Sequence, residues 1–128
     1  MDLLYQRIGG REGILNLLRH FYADVRQDPV IGPIFNVQIK DWKEHLETIA
    51  KFWETIIGGP RSYARPMPMK HLPLQLQDEH LERWLFLWQA NCRAQLPTDI
   101  AREMIDLSQH IGSKLRSILG IPSNRKLQ

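Results

Sequence analysis

The chain has 128 residues, 43% hydrophobic and 24% charged, with a formal net charge of +3 and a pI near 9.2. That length suits one domain with its own core, expected over residues 1–122, followed by a short polar tail at 123–128. The single cysteine, Cys92, excludes an intrachain disulfide and every cysteine-rich zinc or iron–sulfur site, and it suits a reducing, cytoplasmic compartment. The opening Met1-Asp2-Leu3-Leu4-Tyr5-Gln6-Arg7 has no cationic start and apolar leader, and no run of ~18 apolar residues occurs; neither secretion nor a membrane span is expected. Acidic residues are interspersed with basic ones, and Arg125-Lys126 reads as a solubilising end, so no nucleic-acid partner is expected.

Apolar residues recur at helical spacing and no segment alternates with hairpin turn residues, so the fold class is all-α. A short helix around Asp2 to Ile8 meets Gly9-Gly10; a longer one follows, with Ile14, Leu17, Leu18, Phe21, Tyr22 and Val25 on one face, until Asp28-Pro29 ends it. Val30 to Phe35, with Gly32-Pro33, predicts a tight corner or single turn that brings Ile34 and Phe35 to the interior. Asp41-Trp42-Lys43-Glu44 has the form of a capping box, so a helix starts at Trp42. Its inward stripe is His45, Ile49, Phe52 and Ile56, flanked by Trp42, Leu46 and Trp53, and Gly58-Gly59-Pro60 stops it.

From Arg61 to Gln77 the prolines at 66, 68 and 73 forbid a long helix and leave one or two turns around Met69 to Leu72. The apolar residues of this stretch, among them Tyr63, Met67, Met69, Leu72 and Leu74, predict that it packs against something that need not be protein. Asp78 is then expected to cap a helix through about Ala94 carrying Leu81, Trp84, Leu85 and Trp88. Pro97-Thr98 opens the last helix, whose buried stripe is Ile100, Met104, Leu107, Ile111, Leu115 and Ile118, ended by Gly120 and Pro122.

Spacing dismisses several chemistries. None of the histidines at 20, 45, 71, 80 and 110 follows a Glu three residues earlier, and there is no His-Glu-x-x-His, glycine-rich phosphate loop, calcium loop or serine elbow. His71 is pinned in Pro66-Met67-Pro68-Met69-Lys70-His71-Leu72-Pro73, and an imidazole on a restrained backbone is what an iron or zinc axial site needs. A flat, mostly apolar cofactor held by one imidazole fits what remains, and haem answers that description. His80 is the rival ligand by its nearness to His71, and His20 and His110 are assigned to the surface. His45 taken alone would more often be a satisfied core histidine, and the Phe and Trp stripes ordinary core.

The chain resembles the truncated haemoglobins, short two-over-two helical relatives of the globins. The resemblance rests on Phe21-Tyr22 before Asp28-Pro29, Gly32-Pro33-Ile34-Phe35, Trp42-Lys43-Glu44-His45 with Ile49 and Phe52-Trp53, Lys70-His71-Leu72, and Arg83-Trp84-Leu85. The histidine helix and the placement of Trp84 after His71 look most like group III, the opening Leu4 to Gly10 more like groups I and II. The resemblance implies a globin-like truncated two-over-two sandwich binding haem b (iron protoporphyrin IX). It makes His71 the proximal iron ligand, Tyr22, His45 and Trp84 the distal polar set, and His45 also the candidate sixth ligand. Phe35 would stack on the porphyrin, Ile49 narrow the distal space, and Phe52 and Trp53 wall the haem; Tyr63, Met67 and Leu72 complete the cofactor contacts. Lys70 and Arg65 would face the propionates or simply be solvated.

On this reading the ligands are O2, NO, CO or peroxide, and the use is redox chemistry on NO, O2 or peroxide, such as NO dioxygenation, rather than bulk transport. A separate reductase is implied, because the chain has no room for a flavin domain. The chain is expected as a monomer or weak dimer. The competing readings are a haem-based gas sensor or interaction module and a cofactor-free helical domain that binds a partner through its aromatic surface.

Overall fold

The computed structural model describes residues 3–61 and 76–121. All regular structure there is helical: α1 (Leu4–Arg7), α2 (Gly10–Gln27), α3 (Gly32–Gln38), α4 (Trp42–Ile56), α5 (Asp78–Gln95) and α6 (Thr98–Leu119). Two helix pairs, α2 with α4 and α5 with α6, are joined through a contact between α2 and α5. No described helix is long and apolar enough to cross a membrane.

The predicted apolar face of α2 forms the centre of the core, with Leu18, Phe21 and Val25 wholly buried and Ile14 and Leu17 nearly so. Its start depends on glycine. Gly9 caps α2 at φ 99°, a left-handed conformation that costs a side-chain-bearing residue energy. At Gly13 an added Cβ would lie 1.9 Å from the Ile8 carbonyl oxygen, so α1 rests directly on the α2 backbone.

The Val30–Phe35 corner is longer than predicted and continues as the seven-residue α3. Asp28 explains the difference: its Oδ2 accepts from the amides of Val30 and Ile31, both at 3.0 Å, and Pro33 sits in the first turn, where no amide donor is needed. Phe35 reaches the interior as expected, whereas Ile34 is only half-buried.

α4 starts at Trp42, where Asp41 accepts from the Glu44 amide at 3.1 Å. Its most buried side chains are Ala50, Trp53 and Glu54, with Ile57 just beyond. His45, Ile49 and Phe52 are half-buried, and Ile56, predicted to face inward, is 37% exposed. The face that meets α2 is therefore rotated toward Trp53, which turns Ile56 out at the helix end.

Asp78 does not cap α5. The cap is Gln77, whose amide donates to Nδ1 of His80 at 2.9 Å, and Asp78 is the first helical residue, buried and bound by Arg116 from α6. Arg116 also reaches Glu82 at 3.2 Å, which ties α5 to α6 by charge. On α6, Ile100, Met104 and Leu115 are buried as predicted, but Leu107 and Ile111 are only half-buried and Ile118 is 53% exposed, on the outer edge of the stripe. Gly120 then ends α6 in the left-handed conformation.

Candidate functional site

Tyr22, on the last third of α2, and His45, in the first turn of α4, meet edge to face with ring centroids 5.2 Å apart. Trp42 closes the group on the outer side, 5.7 Å from Tyr22 and 5.6 Å from His45. Phe35 of α3 lies 6.2 Å from Tyr22. From α5, Trp84 donates its indole N–H to the Tyr22 hydroxyl, and its ring lies edge to face with Phe21 at 5.6 Å. Four helices thus converge on one phenol.

That phenol is neutral at any working pH. Burial pushes its pKa well above the ordinary value, and the Trp84 hydrogen bond only partly opposes this. Since Trp84 uses the Tyr22 oxygen as acceptor, the Tyr22 O–H remains a donor for another group. The two donors therefore act in series, each polarising the next.

The charged groups nearest this cluster are committed elsewhere. The Arg26 guanidinium sits over the Trp42 ring, 4.7 Å from its centroid. Arg83, beside Trp84 in sequence, donates from Nε to Oδ1 of Asp28 at 2.6 Å. Asp28 is nearly buried, which disfavours its charge, yet Arg83 and the Ile31 and Val30 amides outweigh this and hold the carboxyl below its usual range. This pair fixes α5 against the α2–α3 corner, and with it the approach of Trp84 to Tyr22.

Ile49 and Phe52 continue from His45 along the half-buried side of α4. Trp53 lies deeper, 2% exposed, with its ring stacked on Trp88 at 4.9 Å. His71, Tyr63, Met67, Lys70, Leu72 and Arg65 lie outside the described residues. The other histidines hold structural positions. Nδ1 of His20 donates to the Asn16 carbonyl at 2.8 Å and Nδ1 of His110 to that of Asp106 at 2.9 Å, while His80 serves the α5 cap.

The donor set fits a flat apolar group carrying a small polar ligand: uncharged donors at one end and an apolar, half-buried strip of α4 alongside. It does not resemble a bare metal cage, since among the described residues no three His, Cys, Asp or Glu side chains converge. Reading the sequence had named Tyr22, His45 and Trp84 but missed Trp42 as their outer neighbour, the Arg26 contact and the Asp28–Arg83 pair. Only the last left a signal, an acid at a helix end that a basic residue could answer.

A family model described as bacterial-like globin matches residues 3–112. The chain is 32% identical to a group 3 truncated haemoglobin of Campylobacter jejuni over 114 residues, 85% of this chain and 90% of that one. The crystal structure of a group III truncated haemoglobin from Campylobacter jejuni superposes with a TM-score of 0.81 at 32% identity, covering 86% of this chain and 91% of the other. A thermostable haemoglobin of Thermobifida fusca gives 0.78 at 27% identity over 89% and 96%. The two helix pairs are accordingly the two-over-two globin sandwich, and the chain belongs to the truncated haemoglobins, a family of haem proteins that bind diatomic ligands.

Proposed function

We propose that this chain binds haem b through His71 as the proximal iron ligand and holds O2 or a related ligand tightly enough for redox chemistry with NO or peroxide, rather than releasing it as a carrier does. Haem, when bound, supplies the iron that takes the diatomic ligand and draws negative charge onto bound O2. What this chain adds is the neutral donor series from Trp84 to Tyr22, and that series carries the proposal. The Tyr22 O–H is free to donate to a partly negative ligand, and the Trp84 bond to its oxygen makes it a better donor. A hydrogen bond to a charged acceptor contributes about 1.5–3 kcal/mol, enough to slow ligand release roughly tenfold to a hundredfold. Because Tyr22 stays protonated, this grip persists across the physiological pH range.

In this proposal Phe35, Ile49 and Phe52 line the haem, with Trp53 backing them from the core. Tyr63, Met67 and Leu72 complete the pocket, and Lys70 meets a propionate. His45, edge-on to Tyr22, orders the phenol and would be the candidate sixth ligand of the iron. The protein acts in the cytoplasm as a monomer or weak dimer, and its electrons come from a separate reductase. Cys92 takes no part: it is wholly buried, and burial pushes its thiol up to about 12.

The test is the O2 dissociation rate of reduced wild type against Tyr22→Phe and Trp84→Phe. Release at least tenfold faster in Tyr22→Phe, with a smaller rise in Trp84→Phe, is expected. A carrier-like rate in wild type, unchanged by either substitution, would remove the redox reading.

A further inference from the structure

We propose that Trp84, Trp88 and Trp53 form a relay that carries one oxidising equivalent from the haem site into the core; the proposal rests on haem being bound beside Trp84. The three indoles lie in parallel. Trp84 and Trp88 are 5.8 Å apart between centroids with planes 2° from parallel, and Trp88 and Trp53 are 4.9 Å apart with planes 8° from parallel. Phe21 stands edge to face against both Trp84 and Trp88 and fixes their spacing. The outer member is hydrogen-bonded to Tyr22, and the inner two are 0% and 2% exposed. The row thus begins at the ligand-binding cluster and ends away from water.

Packing alone does not account for Trp88. Among the described residues its Nε1 is buried with no hydrogen-bond partner, an arrangement that costs roughly 1–3 kcal/mol and that phenylalanine would avoid. For electron transfer the same feature is useful. An indole that loses an electron becomes a strong acid at N–H, and a nearby base would take the proton and trap the hole. Trp88 has no acceptor, so its proton stays and the positive charge is shared with the stacked rings and can be returned.

The oxidant is hydrogen peroxide, whose O–O bond would break on taking one electron from the haem and one from the stack, so that one oxygen leaves as water and the other stays with the haem. The haem supplies one electron and the stack the other: Trp88 becomes a cation radical, no bond in the ring breaks, and Nε1 keeps its hydrogen. A soluble one-electron donor such as ascorbate then restores both in two steps, one electron refilling the stack and the other, with two protons, reducing the haem and releasing the second oxygen as water. The relay would spare the haem and Tyr22 from oxidation whenever peroxide arrives without a reductase.

The experiment mixes ferric holoprotein with peroxide, freeze-quenches it, and records the electron paramagnetic resonance signal while following haem bleaching in parallel. Protein grown on ring-deuterated tryptophan is compared with ordinary protein, which tests the radical's identity without any variant. Trp88→Phe, its fold verified by circular dichroism, tests the route. Support is a radical signal that narrows on deuteration, is lost in Trp88→Phe, and is accompanied by several-fold faster bleaching in that variant. A signal that deuteration leaves unchanged, no radical in coloured protein, or equal signal and bleaching in Trp88→Phe overturns the relay alone. A protein that takes up no haem shows no Soret band before peroxide is added, and overturns the haem reading and the relay together.

Discussion

The two ends of the α2–α4 pair solve the same packing problem with opposite chemistry. Arg11 near the start of α2 pairs with Glu54 near the end of α4, and Tyr22 near the end of α2 meets His45 at the start of α4, so the helices run in opposite directions. At the first end Arg11 bridges Glu47 and Glu54, and the Tyr5 hydroxyl donates to Glu54 at 3.1 Å. At the second end Tyr22, His45 and Trp42 meet through their rings, with Arg26 set over Trp42 and no ion pair between the helices there among the described residues. A buried ion pair consumes its own donors and acceptors, so the charged end is satisfied internally and has nothing to offer a ligand. The aromatic end keeps a phenol O–H in reserve. One end fastens the helices, and the other is left able to bind.

Breaking the charged end should have the largest effect on stability and none on ligand chemistry. Arg11→Ala removes the cation from Glu54, whose side chain is 3% exposed and keeps only the neutral Tyr5 hydroxyl as a donor among the described contacts. We expect a loss of about 2–3 kcal/mol in urea denaturation, below the ~3–5 kcal/mol of a fully buried pair because Arg11 itself is a third exposed. The O2 off-rate should not change. Tyr22→Phe inverts that pattern. It should alter stability by under about 1.5 kcal/mol yet accelerate O2 release roughly tenfold or more. If both substitutions affected both readouts equally, the division between the two ends would not hold.

Asp28 lies between these extremes, since it both fastens the α2–α3 corner and holds α5. Asp28→Asn should cost roughly 1–3 kcal/mol at neutral pH and modestly speed O2 release by loosening Trp84. Its pH dependence has a definite sign. The folded carboxyl is held below its ordinary value of about 3.9, so its contribution is complete above that value and is lost as pH falls through the depressed one. The stability gap between wild type and Asp28→Asn should therefore be constant above about pH 5 and close on acidification below the ordinary carboxylate range. The smallest effects belong to the exposed histidines. His20→Ala and His110→Ala should shift stability by no more than about 0.5 kcal/mol and leave the visible spectrum unaltered.

These contrasts also mark what the sequence could reveal. α4 was legible because its signals are local: Asp41 binds the Glu44 amide and Gly58, at φ 98°, follows the last turn. Tyr22, His45 and Trp84 were legible as a set only through their resemblance to a known family, because they come from three helices and no periodicity links them. The length of α3 was hidden because it depends on the Asp28 carboxylate accepting two amides. Asp78 was misread because its residue type favours a cap, while Arg116, 38 residues further along, draws it inward instead. Ile56 and Ile118 were misread because helical spacing marks a stripe without saying which of its edges the neighbouring elements cover; Ile57 and Ile121 are buried close by while these two face out. The serial bond from Trp84 to Tyr22 was likewise invisible, since it depends on how α5 is seated by Asp28 and Arg83.

The most direct test of the central claim is the visible spectrum of the purified protein, ferric, then reduced, then under CO, measured beside His71→Ala and His45→Ala. The account predicts an intense Soret band that shifts on reduction and on CO binding. It predicts loss or loose retention of haem in His71→Ala, and retention of haem with an altered resting spectrum in His45→Ala. A colourless protein that refuses added haem, or a spectrum that His71→Ala leaves intact, would contradict it.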